Sequence, residues 1–391
     1  MIKDHLIIFF PLVDWDAPFQ RYQYLARELS RTNKVIYFEP ALSVMYFLRR
    51  PGLLRRKLLR ASRAKKKVAR NLFTLNAPPI LPYGNITRFI NYINQFFLLL
   101  LIKIFTMDFR ERKRLCLWIS DAAHYPLIKW LKPKISVYDC TDAIVFPDRE
   151  KQDYHNGLRQ RTMRDSSVSF FTSQLYFREG QAYSRNCHYV PNGVDVRHFR
   201  KTHYRVPEEL KKIRRPLLGF VGTLDARMDR ELIEAILTKK PEACLVFVGP
   251  LADNSWKFEN EERVFLLGKR EYEEIPDFVN QFDVALIPYR LYENTQYMYP
   301  VKLHEYLVLG KPVVTTDLPE VRQFSDIVYI ARNPDDFVEK IEEALRATDE
   351  GSEKRRVETA LANTWDHRLE MIGRELEKVS EGNPEERMRE R

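Results

Sequence analysis

Short apolar runs alternate with amphipathic segments along almost the whole chain. In the first half, LIIFF (6–10) precedes the helical pattern FQRYQYLARELS (19–30), and KVIYFEP (34–40) follows as a second strand. LCLWIS (115–120) leads into HYPLIKWLK (124–132) and then ISVYD (135–139). VSFFT (168–172) leads into SQLYFREGQAYS (173–184), with Ser173 placed to cap the helix, and HYVPNGVD (188–195) closes the half on an Asn-Gly turn. A charged, irregular stretch, VRHFRKTHYRVPEELKKIRRP (196–216), marks a domain boundary. The alternation then restarts. PLLGFVG (216–222), ACLVFVGP (243–250), RVFLLG (263–268), DVALIPY (283–289) and KPVVTTD (311–317) read as strands. RELIEAILTKK (230–240, capped by Asp229), YEEIPDFVNQF (272–282), the segment around Glu305 and DDFVEKIEEALRA (335–347) read as helices. Such alternation predicts an α/β fold of two doubly wound domains with parallel sheets, at 1–200 and 201–350. A charged helix over 351–380 and an unstructured tail at 381–391 complete the expected organisation. Ligands of open α/β sheets bind beyond the carboxyl ends of the strands, so a cleft between the domains is the expected site.

Composition narrows the class. The chain has 391 residues, enough for two ordinary domains, and 45% hydrophobic with 13% aromatic residues excludes global disorder. Cys116, Cys140, Cys187 and Cys244 are scattered with no CxxC pair, which points to reduced thiols in a cytoplasmic protein without a zinc site. The opening MIKDHLIIFFPLVDWD lacks a basic start and a small-residue cleavage site, so it reads as a first core strand. INQFFLLLLIKIF (93–105) is very apolar, but it is shorter than the ~20 residues a membrane span needs and Lys103 interrupts it. The net charge of +10 favours anionic partners. It concentrates in LRRPGLLRRKLLRASRAKKKVARN (48–71), where Arg55, Arg56, Lys57, Lys65, Lys66 and Lys67 alternate with leucine-rich turns as on a helix lying on anionic lipid. A solvated charged face is the rival reading. No nucleic-acid fold or stacking aromatics accompany the run, so no nucleic-acid partner is expected.

The chemistry gathers in the second half. In FVGTLDARMDRE (220–231) a strand ends at Gly222, a loop carrying Thr223 and Arg227 follows, and a helix begins near Asp229. Free N–H groups at such a junction bind phosphate, although a plain β–α turn has the same outline. Gly249 ends a second strand in the same way. In YMYPVKLHEYLVLGKPVVTTDLP (297–319), Lys302 and Glu305 lie three apart on one helical face. A cation and a carboxylate there suit a ligand with phosphates and hydroxyls, such as a nucleotide sugar; the rival is a surface ion pair worth about 0.2–0.5 kcal/mol. No GxGxxG or Walker pattern is present. In the first half, His124 and Asp142 follow strand ends and are the candidates for taking a proton from an acceptor hydroxyl, with a plain helix-start residue as the rival reading of His124. Asp14-Trp15-Asp16 has a DxD spelling, but it follows the first strand and is assigned no metal.

VPNGVDVRHF (190–199), FVGTLDARMD (220–229) and YPVKLHEYLVLGKPVV (299–314), supported by YDCTDA and FFTSQLYF, resemble the GT-B glycosyltransferases of the family 4 type. The nearest likeness is to bacterial enzymes of surface polysaccharide and teichuronic acid synthesis. The resemblance covers roughly 5–380. It implies two Rossmann-like domains facing across a cleft, a UDP- or GDP-linked sugar donor held by the second domain, and transfer with retention. It also implies no essential metal or cofactor, and a last helix crossing back to the first domain. Glu305 matches the family's ribose-binding glutamate, and Tyr297 stands where its other glutamate is usual. Thr223 and Asp229 replace the usual phosphate-binding arginine and lysine, leaving Arg227 and Lys302 as the available cations. PLVDWDAPFQR (11–21) replaces the glycine-rich loop, with Trp15 and Arg21 as candidate cleft and acceptor contacts or, equally, as core or helix-start residues. The expected acceptor is a lipid-linked or surface glycan met at the inner face of the cell membrane. A non-catalytic binding module and a nucleotide-sugar epimerase on the same fold are the alternatives.

Overall fold

A computed structural model describes residues 1–41, 43–45, 65–77, 79–82, 84, 87–106, 114–141, 144, 146, 148–256, 258, 261–293, 295–347 and 349–381. The chain forms two compact units, one of residues 1–190 joined by the chain from Leu369 onward, the other of Pro191–Arg368. The boundary therefore falls at Pro191, ahead of the charged stretch. The first unit is completed by the end of the chain.

The first unit holds an eight-stranded sheet of β1 (Leu6–Phe10), β2 (Lys34–Glu39), β3 (Lys65–Ala69), β4 (Leu72–Asn76), β5 (Leu115–Ile119), β6 (Ile135–Cys140), β7 (Val168–Phe171) and β8 (Cys187–Tyr189). Its order is β3-β4-β2-β1-β5-β6-β7-β8, and only β3 runs antiparallel. The second unit holds β9 (Leu217–Val221), β10 (Cys244–Val248), β11 (Val264–Leu266), β12 (Val284–Ile287), β13 (Val313–Thr316) and β14 (Tyr329–Ala331). Its order is β11-β10-β9-β12-β13-β14, all parallel. In both sheets the first strand of the unit lies at the centre and the order reverses there, which is the doubly wound Rossmann arrangement. The reversal points are β1/β5 and β9/β12. Helices cover both faces of such sheets, so central strands are buried along their whole length. β1, β5, β9 and β10 are buried at every residue, which is why they read as unbroken apolar runs.

Three segments differ from the sequence reading. The basic run is not one helix: Lys65–Ala69 is edge strand β3, paired with β4. Exposed Lys66 and Lys67 there block further strand pairing. Arg55, Arg56 and Lys57, like the tail 382–391, lie outside the described residues. The final charged helix is two, Glu350–Ala362 and Trp365–Glu381, broken where Thr364 bridges to Val194. Gly193 permits this contact, since a Cβ there would lie 2.7 Å from the Thr364 carbonyl carbon.

The third is the apolar segment 93–105, which belongs to a longer helix, Arg88–Phe105. Among the described residues it is the one helix long and apolar enough to cross a membrane. Its amphipathicity is inverted at the start. Asn91, Asn94 and Gln95 point inward, while Phe89, Phe96, Phe97, Leu100 and Ile104 are exposed. The buried amides are satisfied, as buried polar groups must be. Asn94 brackets the Leu81 backbone (2.8 and 3.1 Å), and Asn91 donates to the Ala123 carbonyl (3.1 Å).

The first unit is centred on a buried ion pair. Arg21 opens the helix Arg21–Leu29 and forks onto Asp139 of β6 at 2.7 Å, with side chains 3% and 0% exposed. Its remaining nitrogen donates to the Val190 carbonyl (3.0 Å), and the Trp118 indole donates to Asp139 (3.4 Å). Arg21 is thus a core residue with its guanidinium fully engaged, and the reading of it as a cleft contact is corrected. Breaking such a pair leaves an uncompensated buried charge. Asp139→Ala should therefore lower stability by about 3–5 kcal/mol in urea unfolding, and Arg21→Met/Asp139→Leu should recover most of the loss. A single variant as stable as the parent would show that the pair does not hold the unit.

Candidate functional site

The second unit builds a site at the carboxyl ends of β9 and β10. Gly222 and Gly249 end these strands with φ of +149° and +153°, a region open to glycine but not to side-chain-bearing residues. A Cβ on Gly249 would strike the Gly222 carbonyl, and one on Gly222 would lie 2.9 Å from the Lys302 Nζ. Only glycine at both positions lets the backbone come this close and leaves Lys302 lying over it. The Lys302 ammonium sits 5.6 Å from the centre of the Phe220 ring.

Lys302 and Glu305 stand on the helix Val301–Leu307. The helix is held from below. The Tyr306 hydroxyl accepts from the Val221 N–H (2.9 Å), immediately before Gly222. His304 is fully buried, bonds the Tyr299 hydroxyl through Nε2 (2.6 Å), and is pushed down to about 3 by burial, with Arg368 adding to the effect. It therefore acts as a neutral hydrogen-bonding group. Tyr299 is anchored in turn by Asn192, which donates to its carbonyl (2.9 Å).

Glu305 forms no salt bridge with Lys302, so the surface ion-pair reading does not describe this pair. Its carboxyl takes no hydrogen bond from any neighbour among the described residues. Burial pushes it up to about 7, with Lys302 pulling the other way. A carboxyl so placed is poised to accept hydrogen bonds, and a hydroxyl-bearing ligand would supply them.

Arg227 lies on the same loop but is engaged. Its guanidinium meets Asp225 at 2.6 and 2.9 Å and lies 5.9 Å from the Tyr289 ring. Asp225 was not singled out in the sequence, although it stands two residues before Arg227, a spacing that permits this fork. Burial raises the Asp225 carboxyl, but Arg227 and Lys302 outweigh it and hold it below its ordinary range. Thr223 follows Gly222 and is half-buried. Tyr297 ends the short turn Thr295–Tyr297 ahead of the helix and is also half-buried. Asp229 caps the helix Arg230–Lys239 by accepting from Glu231 N–H (3.0 Å).

In the first unit, His124 lies at the β1/β5 reversal. Its ring stacks on Phe10, the last residue of β1, at 4.3 Å, and Nδ1 pairs with the Gln95 side-chain oxygen at 2.9 Å. Burial lowers its pKa, opposed by Asp121. Asp121 follows β5 and accepts from the Ala123 N–H (2.8 Å). Burial raises its carboxyl, and His155, His124 and that N–H together bring it below the ordinary range. Nothing local in the sequence links His155, 34 residues on, to this group. Asp142 lies outside the described residues. Trp15 is half-buried and packs edge-on against Tyr37 at 5.2 Å, with Arg27 above its ring at 5.7 Å. Among the described residues no cluster of three or more His, Cys, Asp or Glu could hold a metal.

Residues 215–347 match the family model described as glycosyl transferases group 1. The chain is 26% identical over 276 residues to the Bacillus subtilis (strain 168) protein TuaH, assigned to teichuronic acid biosynthesis as a glycosyltransferase; this covers 65% of this chain and 69% of TuaH. Sucrose-phosphate synthase from Thermosynechococcus elongatus superposes with a TM-score of 0.69 at 12% identity, over 96% of this chain and 99% of that one. Anabaena HepE in complex with UDP and glucose gives 0.64 at 14% identity, over 96% and 100%. At these identities the structural likenesses speak for the fold alone, two Rossmann-like units of the GT-B type. Residues 215–347 are a glycosyl transferases group 1 domain within that GT-B fold, and the protein is an enzyme of the glycosyltransferase type.

Proposed function

We propose that the protein moves a sugar from a UDP- or GDP-linked donor to a hydroxyl of a lipid-linked or surface glycan, with retention, at the inner face of the cell membrane. The observation that carries the donor reading is Lys302 lying over the Gly222–Gly249 backbone, with Glu305 one turn along its helix and not ion-paired to it. Lys302 meets the diphosphate and stabilises the charge that leaves with it. Glu305 accepts from the ribose hydroxyls. Arg227 reaches phosphate only by sharing or leaving Asp225. His124, at the reversal point of the first sheet, positions the acceptor. TuaH supports the surface-glycan acceptor, and HepE, bound to UDP and glucose, supports the donor class.

The membrane reading rests on the helix Arg88–Phe105. Phe89, Phe96, Phe97, Leu100 and Ile104 face outward, whereas Asn91, Asn94 and Gln95 share the inner face with Leu98, Leu99 and Ile102, so much of its apolar surface stays uncovered. With one face packed through polar contacts, it suits lying in the lipid interface, not spanning it. Arg88 and Lys103 sit near its two ends, where they meet anionic headgroups.

Three outcomes test this reading. Glu305→Ala should weaken UDP or GDP binding by about 10- to 100-fold in calorimetry, the range for hydrogen bonds to a charged group; unchanged affinity in both titrations would displace the donor site. Only ionised Glu305 accepts two hydroxyls, and its pKa is about 7. Affinity should therefore fall roughly tenfold as pH drops from about 8 to about 6, and the Glu305→Gln variant should lack the Glu305 share of that slope. Replacing Phe96 and Phe97 together by Ser removes up to about 3 kcal/mol of apolar burial per ring, so co-sedimentation with phosphatidylglycerol vesicles should collapse. Undiminished vesicle binding would rule out this helix as the docking face.

A further inference from the structure

Next to the turn that carries His124, the first unit contains a small cavity of mixed polar and apolar lining that the proposed donor site does not use. It has a volume of ≈ 40 Å³ and is lined by Asp121, Ala123, Phe146, Tyr154, His155 and Leu158, among others. His155 comes from the helix Arg149–Asp165 and is 6% exposed, yet neither ring nitrogen has a hydrogen-bond partner among the described residues. Its Nε2 lies 3.8 Å from the Asp121 Oδ1, too far for a hydrogen bond. Phe146 packs edge-on against the ring at 5.5 Å and closes one side.

A buried imidazole with both nitrogens unpaired is costly, and native structures keep few such groups without a reason. The gap fits a specific guest. One hydroxyl oxygen placed about 2.7–2.9 Å from each group donates to the carboxylate and accepts from the imidazole N–H. A cavity of ≈ 40 Å³ has room for a hydroxyl with its carbon, a site for one water needing about 10–15 Å³ by the same kind of measure, but not for a sugar ring. An anion would be repelled by Asp121, and an apolar group would leave His155 unpaired.

We propose that Asp121 and His155 form a hydroxyl-binding subsite that receives a hydroxymethyl or terminal hydroxyl of a glycan acceptor. This rests on the acceptor-side reading of the first unit and adds two residues to it. The subsite lies just past β5, at the β1/β5 reversal, on the same turn as His124. A glycan holding one hydroxyl there is fixed in rotation, with its neighbouring hydroxyls directed along the same turn.

The test uses saturation-transfer NMR on the full chain with methyl α-D-glucopyranoside as probe and UDP as a parallel ligand. The parent should saturate the probe's hydroxymethyl protons most strongly. Asp121→Asn and His155→Phe should reduce that signal about fivefold to tenfold, the scale of one lost hydrogen bond. His155→Gln, which keeps a donor and an acceptor but not the ring, should restore part of it. A role in packing alone predicts the opposite order, with the Phe variant closer to the parent. UDP saturation should be unchanged throughout, and its absence in the parent would overturn the donor reading without touching this one. Equal probe signals in all variants, or none in the parent, would mean that the cavity holds water only and would overturn the inference.

Discussion

The proposed donor site depends on one close approach, that of the Gly222 and Gly249 backbones at the ends of β9 and β10. Any side chain at Gly249 would push the two strand ends apart, and any at Gly222 would evict Lys302. The helix Val301–Leu307 is set by the same contact, because Tyr306 accepts from Val221 one residue before the glycine. Buried His304 and Tyr299 then prevent the helix from rotating. Lys302 and Glu305 are therefore displayed at fixed spacing above open backbone. Neither neutralises the other through an ion pair, so both are available to a ligand that carries opposite chemistry at its two ends.

The first unit is organised differently. Its core contains charge, with Arg21 and Asp139 paired beneath the sheet's carboxyl edge and bonded to the Val190 carbonyl and the Trp118 indole. Its helix Arg88–Phe105 turns amides inward and uses them to brace the Ala123 carbonyl and His124. Polar burial here provides position. Fixed hydrogen-bond directions set the His124 ring, where apolar packing alone would allow several rotations.

Much of this was legible in the sequence for a simple physical reason. Strands buried on both faces must be apolar throughout, so β1, β5, β9 and β10 stand out as runs. Ser173 and Asp229 announce their helices because a capping side chain must precede the first turn, and both accept the expected N–H bonds. Lys302 and Glu305 were visible because helical spacing alone puts them on one face. The β3–β4 hairpin was hidden, since three lysines and an Arg-Asn turn look like the end of a charged helix. The start of Arg88–Phe105 was missed because its asparagines break the apolar pattern that defined the segment. The Asp121–His155 approach joins residues 34 apart, on a strand end and a helix, and no local spacing encodes it.

The two units also differ in how the chain closes them. The second is continuous, from Pro191 to Arg368, whereas the first needs the helix that returns after residue 368. Ile372 and Leu376 of that helix are fully buried, and Glu375 reaches His188 at 3.3 Å. During synthesis on the ribosome, the unit made first therefore lacks part of its own core until the helix after residue 368 has emerged. The unit made second has all its sequence available earlier. The order of translation and the order of completion are reversed, so a chain truncated shortly after residue 368 would carry an intact second unit, with the proposed donor site, and an unfinished first unit.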